Sequence, residues 1–177
     1  MTNRLLSMLA AVTLWATASQ AQSTNEDFPV TFSHWGESVH NVRLAIAMTN
    51  SAVQVGASFH LFIALQNGST NVIYVRESTL GGNYIVTLND GSGRSYKVTK
   101  DPIVTTYNML LSINPDESLY WSKTVKVDHY YKPHKIMAAK VNVPPGDYTL
   151  EVTRTFFPQQ WGDPEPLRAN PLELTIK

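Results

Sequence analysis

The residues that most often carry chemistry are sparse and badly spaced for it. The chain has no cysteine, which removes thiolate nucleophiles, disulfide frameworks and Cys-ligated zinc or iron–sulfur sites. Its five histidines are His34, His40, His60, His129 and His134. None stands in an H-x-H or HExxH spacing that would hold two imidazoles on one ion. His34 with His40, and His129 with His134, could still converge through the fold, so a His-based metal-binding protein stays open as an alternative. Copper handling would favour Met with His, yet Met48, Met109 and Met137 do not cluster with His. The string Asp90-Gly91-Ser92-Gly93-Arg94 lacks the Gly-x-Ser-x-Gly order of a nucleophile elbow and reads as a turn. Of the 14 acids, most sit in turns such as Asp90, Asp116, Glu117 and Asp147, where carboxylates hydrogen-bond their own backbone. Glu77 and Asp128 lie at strand ends and are the least easily explained. We therefore expect no enzyme, no catalytic residues, no metal ligands and no cofactor.

Aromatic residues are the other candidates. Trp35, Trp121, Trp161, Tyr107, Tyr120, Tyr130, Tyr131, Phe156 and Phe157 are many for one small domain. Trp121 stands two after Leu119 and four before Val125, the register of an inward face. Trp161 sits in FFPQQWGDPEPLRAN, residues 156–170, amid Pro and Gly where local structure cannot bury it. An exposed Trp or Tyr stabilises a complex by shedding apolar area while its polar tip finds a partner. We take Trp161, Phe157, Tyr130 and Tyr131 as binding residues on connecting segments. Trp161 plugging one end of the fold, or riding on a mobile loop, are the competing readings.

These side chains must be positioned by strands. Val42, Leu44, Ile46 and Met48 recur at every second position, as do Phe59, Leu61, Ile63 and Leu65. Tyr84, Val86 and Leu88; Tyr148, Leu150 and Val152; and Leu172, Leu174 and Ile176 do the same. That is the period of a strand, not of a helix. His60 then faces away from the core. Runs at 71–76, 94–99, 108–113 and 119–127 are rich in residues that favour a pleated surface. Asn67–Thr70, Asn89–Gly93, Asn114–Glu117 and Pro144–Asp147 supply turn chemistry between them. The expectation is an all-β, antiparallel sandwich of about nine or ten strands. Its only helical candidate is Pro133–Lys140, and Phe156–Asn170 is a long loop.

Before the first strand stands MTNRLLSMLAAVTLWATASQA. Arg4, an apolar stretch from Leu5 to Ala18, and small Ser19 and Ala21 form the three regions of a secretory signal peptide. The stretch is shorter than the ~20 residues of a bilayer span. Cleavage after Ala21 removes 21 of 177 residues, and Arg4 alone among charged ones, leaving 13 basic against 14 acidic. Such a balance excludes binding to nucleic acid by phosphate neutralisation. Export without cysteine points to a bacterial periplasmic or secreted protein with no membrane span after signal removal. Residues 22–177 then form a single domain of a size that can be stabilised by burial alone. Asn67-Gly68-Ser69 fits the glycosylation pattern and reads as a turn.

The stretch Val42–Glu151, with FHLFIALQNGSTNVIYV, YIVTLNDGSGRSYKV, INPDESLYW and VPPGDYTLEV, resembles a bacterial immunoglobulin-like domain of the BsuPI intracellular proteinase inhibitor type. The resemblance implies an immunoglobulin-like sandwich and, as one alternative activity, proteinase inhibition. The chain differs from that type in its export signal and in the Pro/Trp segment Phe157–Pro166. The expected function is a non-catalytic binding module of the bacterial envelope, contacting another envelope or extracellular protein through aromatic loops. Carbohydrate binding is the remaining alternative.

Overall fold

The computed structural model describes residues 29–78, 84–99, 108–131, 139–157 and 165–177. Met1–Ala21, the expected signal peptide, lies outside them, as do Tyr107, His134 and Trp161. The described chain is all-β. Its strands are β1 (Val42–Met48), β2 (Ala52–Val53), β3 (Ser58–Asn67), β4 (Ile73–Ser78), β5 (Tyr84–Asp90), β6 (Ser95–Lys97) and β7 (Asn108–Ile113). They continue with β8 (Ser118–Lys126), β9 (Asp128–Tyr131), β10 (Ala139–Asn142), β11 (Gly146–Phe156), β12 (Glu165–Arg168) and β13 (Leu172–Ile176). One sheet has the order β1-β3-β8, and a second β2-β13-β11-β5-β6 with β12 also on β11. Strands β4 and β7 pair with each other, as do β9 and β10. All pairs are antiparallel except β13 with β2.

The alternation predicts the core. Val42, Leu44, Ile46, Phe59, Leu61, Ile63 and Leu65 from the first sheet join Val86, Leu88, Leu150, Val152, Leu174 and Ile176 from the second. The opposite face of β1 and β3 departs from the expected solvent-facing pattern, because Ala45, Ala47, Phe62 and Ala64 are also buried. A segment running from Phe32 to Asn41 covers part of that face. The Phe32 ring lies 5.7 Å from Tyr120, and Trp35 sits 5.1 Å from the Arg43 guanidinium. Tyr120 pairs with Ala64, and Trp35 bridges to Ala45. Methyl-sized side chains leave room for rings to lie down on the strands.

Thirteen strands are described, against nine or ten expected. The additional short strands are β2, β9, β10 and β12. Two of them correct the reading of loops. Strand β11 runs through to Phe156, and β12 folds back on it with Phe156 opposite Glu165 and Thr153 opposite Arg168. Pro166 lacks an N–H to donate and fits an edge strand, while Leu167 and Ala169 are buried. Thus the described parts of 156–170 extend a sheet, where proline had masked the alternation. Tyr130 and Tyr131 stand in β9, opposite Lys140 and Ala139, and not on a connecting loop. Residues 133–138 of the expected helix lie outside the described chain, and its last two residues, Ala139 and Lys140, begin β10.

Candidate functional site

The structure assigns local structural roles to several residues that could have carried chemistry. Ser92 donates its hydroxyl to the Asp90 carboxylate at 2.7 Å, and the Ser92 and Arg94 amides donate to the same oxygen at 2.9 Å. The Arg94 Nε reaches the other oxygen at 2.7 Å. Donation from Ser92 first, then from Arg94, holds the Asp90 carboxyl down to about 2. This is a closed hairpin turn in which Gly93, at φ 85°, takes the left-handed position. His40 Nε2 lies 3.0 Å from Glu165. His60 faces outward as expected, 3.3 Å from the Thr124 hydroxyl, and His34 is exposed. Asp128 is buried, with Lys126 Nζ at 3.7 Å. Among the described residues no three His, Asp or Glu side chains group to hold a metal ion.

Asn67 has a different role from the one its sequence pattern offers. It is fully buried at the end of β3. Its Nδ2 donates to the carbonyls of Asn71 at 2.8 Å and Ile113 at 2.9 Å. Its Oδ1 accepts from the Ser69 amide and hydroxyl. Its backbone accepts from Asp116 and donates to Glu117. One side chain therefore clasps the β3–β8 pair to the β4–β7 pair, with no amide hydrogen to spare for a glycan. The Asn-x-Ser pattern is a corner device.

The clasp sets the attitude of β4 and β7. Ile73, Val75, Leu111 and Ile113 pack on the core. The alternate positions point outward: Val72, Tyr74 and Leu110 are 43%, 60% and 61% exposed. Tyr74 pairs with Ser112, and Leu110 with Arg76, so Tyr74 and Leu110 are diagonal neighbours within reach of one another. An exposed apolar pair on a short ribbon costs solvation and is the kind of surface that a partner covers. Both segments read as strands in the sequence. Which parity faced water was the missing fact.

Arg154 is a second residue that sequence reading passed over. It continues the inward register of Tyr148, Leu150 and Val152 and is 1% exposed. Its guanidinium stacks 4.8 Å from the Tyr84 ring and 5.4 Å from the Trp121 ring. Weakly hydrated, planar and apolar-tolerant, Arg suits such a position where Lys would not. Trp121 is half-buried against the core, as its spacing predicted. Of the expected binding residues, Phe157 is half-buried, Tyr130 and Tyr131 are placed by β9, and Trp161 lies outside the described residues.

Among the described residues no helix is long and apolar enough to cross a membrane. No family model matches the chain, and no curated protein matches its sequence. Among solved structures, it is similar to a mutant β-glucosidase from Listeria innocua in complex with laminaribiose, at 15% identity and a TM-score of 0.44. That match covers 88% of this chain and 20% of the glucosidase, so the chain spans about a fifth of that enzyme. The C-terminal domain of wzt matches at 10% identity and a TM-score of 0.44, over 82% of this chain and 78% of that one.

Proposed function

We propose that the protein is an exported bacterial binding module, built as an immunoglobulin-like sandwich, that engages another envelope or extracellular protein without catalysing a reaction. The observation that carries this reading is the outward pair Tyr74 and Leu110 with Val72 beside it, on a ribbon whose other face is fastened to the core. Rigid support matters because ordering a mobile surface on binding would subtract from affinity. The immunoglobulin-like description is supported by Tyr148, whose hydroxyl donates to the Pro144 carbonyl at 2.8 Å. A tyrosine tied to the backbone a few residues upstream, at the start of a late strand, is a corner device of such sandwiches. The aromatic set Trp161, Phe157, Tyr130 and Tyr131 forms a second contact region in this proposal.

The test is co-purification of the full-length, exported protein from the envelope fraction of its source bacterium. A Tyr74→Ser/Leu110→Ser double variant should lose a partner retained by wild type, with unfolding behaviour unchanged. Alanine at the four aromatic positions should weaken the same capture. If both variants retain every wild-type partner, the binding surfaces are wrong; turnover of a substrate by the purified chain would refute the non-catalytic reading.

A further inference from the structure

We propose that the segment Phe32–Val39 exchanges between two copies of this chain, pivoting at His40-Asn41, so that the protein forms a strand-swapped dimer. The segment lies along the free edge of β1. Trp35 bridges to Ala45 and Val39 to Val42, and the Gly36 amide donates to the Leu44 carbonyl at 2.8 Å. On its far side the Asn170 side chain donates to the Trp35 carbonyl at 2.9 Å. The segment thus fills a slot between β1 and the stretch that follows β12.

The slot selects its own occupant. A Cβ built on Gly36 would stand 1.8 Å from the Arg168 carbonyl oxygen, so a strand seated there needs glycine at this position. Four residues earlier Phe32 lies on Tyr120, and next to the glycine Trp35 lies on Arg43. A foreign peptide would have to reproduce that aromatic–glycine spacing. A second copy of this chain has it by construction, and its Phe32–Val39 segment makes the contacts that the same segment makes in the closed form.

The hinge supplies the drive. Val39 and Val42 exchange both backbone hydrogen bonds at 2.9 Å, closing a two-residue turn. His40 and Asn41 occupy its centre with φ of 50° and 62°. Tight turns of this hand prefer Asn-Gly, because asparagine tolerates positive φ better than most residues with a Cβ and glycine carries no Cβ penalty at all. Opening the turn to extended backbone relieves both positions in both copies, and a short strained hinge is the usual route to exchange.

Two variants move the equilibrium in opposite directions. Replacing His40-Asn41 by Asn-Gly should lower the dimer fraction, and Asn41→Val should raise the dimerisation constant at least about tenfold, both read by light scattering over a concentration series. A Trp35→Cys/Ala45→Cys variant, in a chain otherwise free of cysteine, reports the exchange itself. Oxidised dimer should run as covalent dimer on a denaturing gel, and oxidised monomer as monomer. Dimer whose disulfides are all internal, or a constant that neither hinge variant shifts, overturns the proposal. So does an Asn41→Val protein that stays folded and monomeric up to its solubility limit.

Discussion

Replacing Asn67 tests whether one buried amide holds the outward ribbon in place. In Asn67→Ala the Ile113 carbonyl, buried where Asn67 meets it, loses the amide donor it has in the native chain. An unsatisfied buried acceptor costs about 1–3 kcal/mol. The Asn71 carbonyl and the Ser69 donors are nearer to solvent and lose only about 0.5–1.5 kcal/mol net together. The expected loss is about 2–4 kcal/mol, or a urea midpoint shift of about 1–2 M for a slope near 2 kcal/mol per M. Asn67→Asp should be worse at neutral pH, since a carboxylate oxygen would face the Asn71 and Ile113 carbonyls where the amide nitrogen now donates. Such a carboxyl is pushed above the ~3.9 of an unfolded aspartate. Its penalty is therefore absent below the unfolded value and complete above the folded one, so acid should rescue Asn67→Asp but not Asn67→Ala. Urea unfolding followed by tryptophan fluorescence at neutral and acidic pH measures both. An Asn67→Ala protein within about 0.5 kcal/mol of wild type, or an aspartate variant as stable as the alanine one at neutral pH, would refute the clasp.

The native Asp90 predicts the opposite acid response. Its carboxyl is held at about 2 against 3.8 for the free group, so its contribution is complete above 3.8 and lost as the pH falls through 2. Asp90→Asn should flatten the acid limb of a stability–pH curve in that window, and an unchanged limb would dismiss the Asp90 turn as its source. Tyr148→Phe keeps the ring but deletes the donor to Pro144, and should cost about 1 kcal/mol in the same urea assay; an unchanged midpoint would remove the corner as a stabilising device.

How much of the candidate surface was legible depended on the range of the interactions. Periodicity fixes parity within a strand, which is why β1, β3, β5, β11 and β13 and the turn at Asp90–Gly93 could be read directly. Period two says that two faces differ without saying what lies over each. For β1 and β3 part of the second face is buried too, at Ala45, Ala47, Phe62 and Ala64, and cover there comes from Phe32 and Trp35. For β4 and β7 the same alternation leaves Tyr74 and Leu110 outside. Strand β12 was hidden by Pro166, because a local rule against proline in sheets does not apply at an edge.

Taken alone, the order of residues determines that this chain makes strands, where most of them turn, and which side chains share a face, because those depend on backbone sterics and a period of two. Only the tertiary structure decides that Asn67 joins two ribbons, that Arg154 lies between Tyr84 and Trp121, and that a glycine at position 36 is required by Arg168. Each of those depends on atoms distant along the chain, brought together by burying a common core.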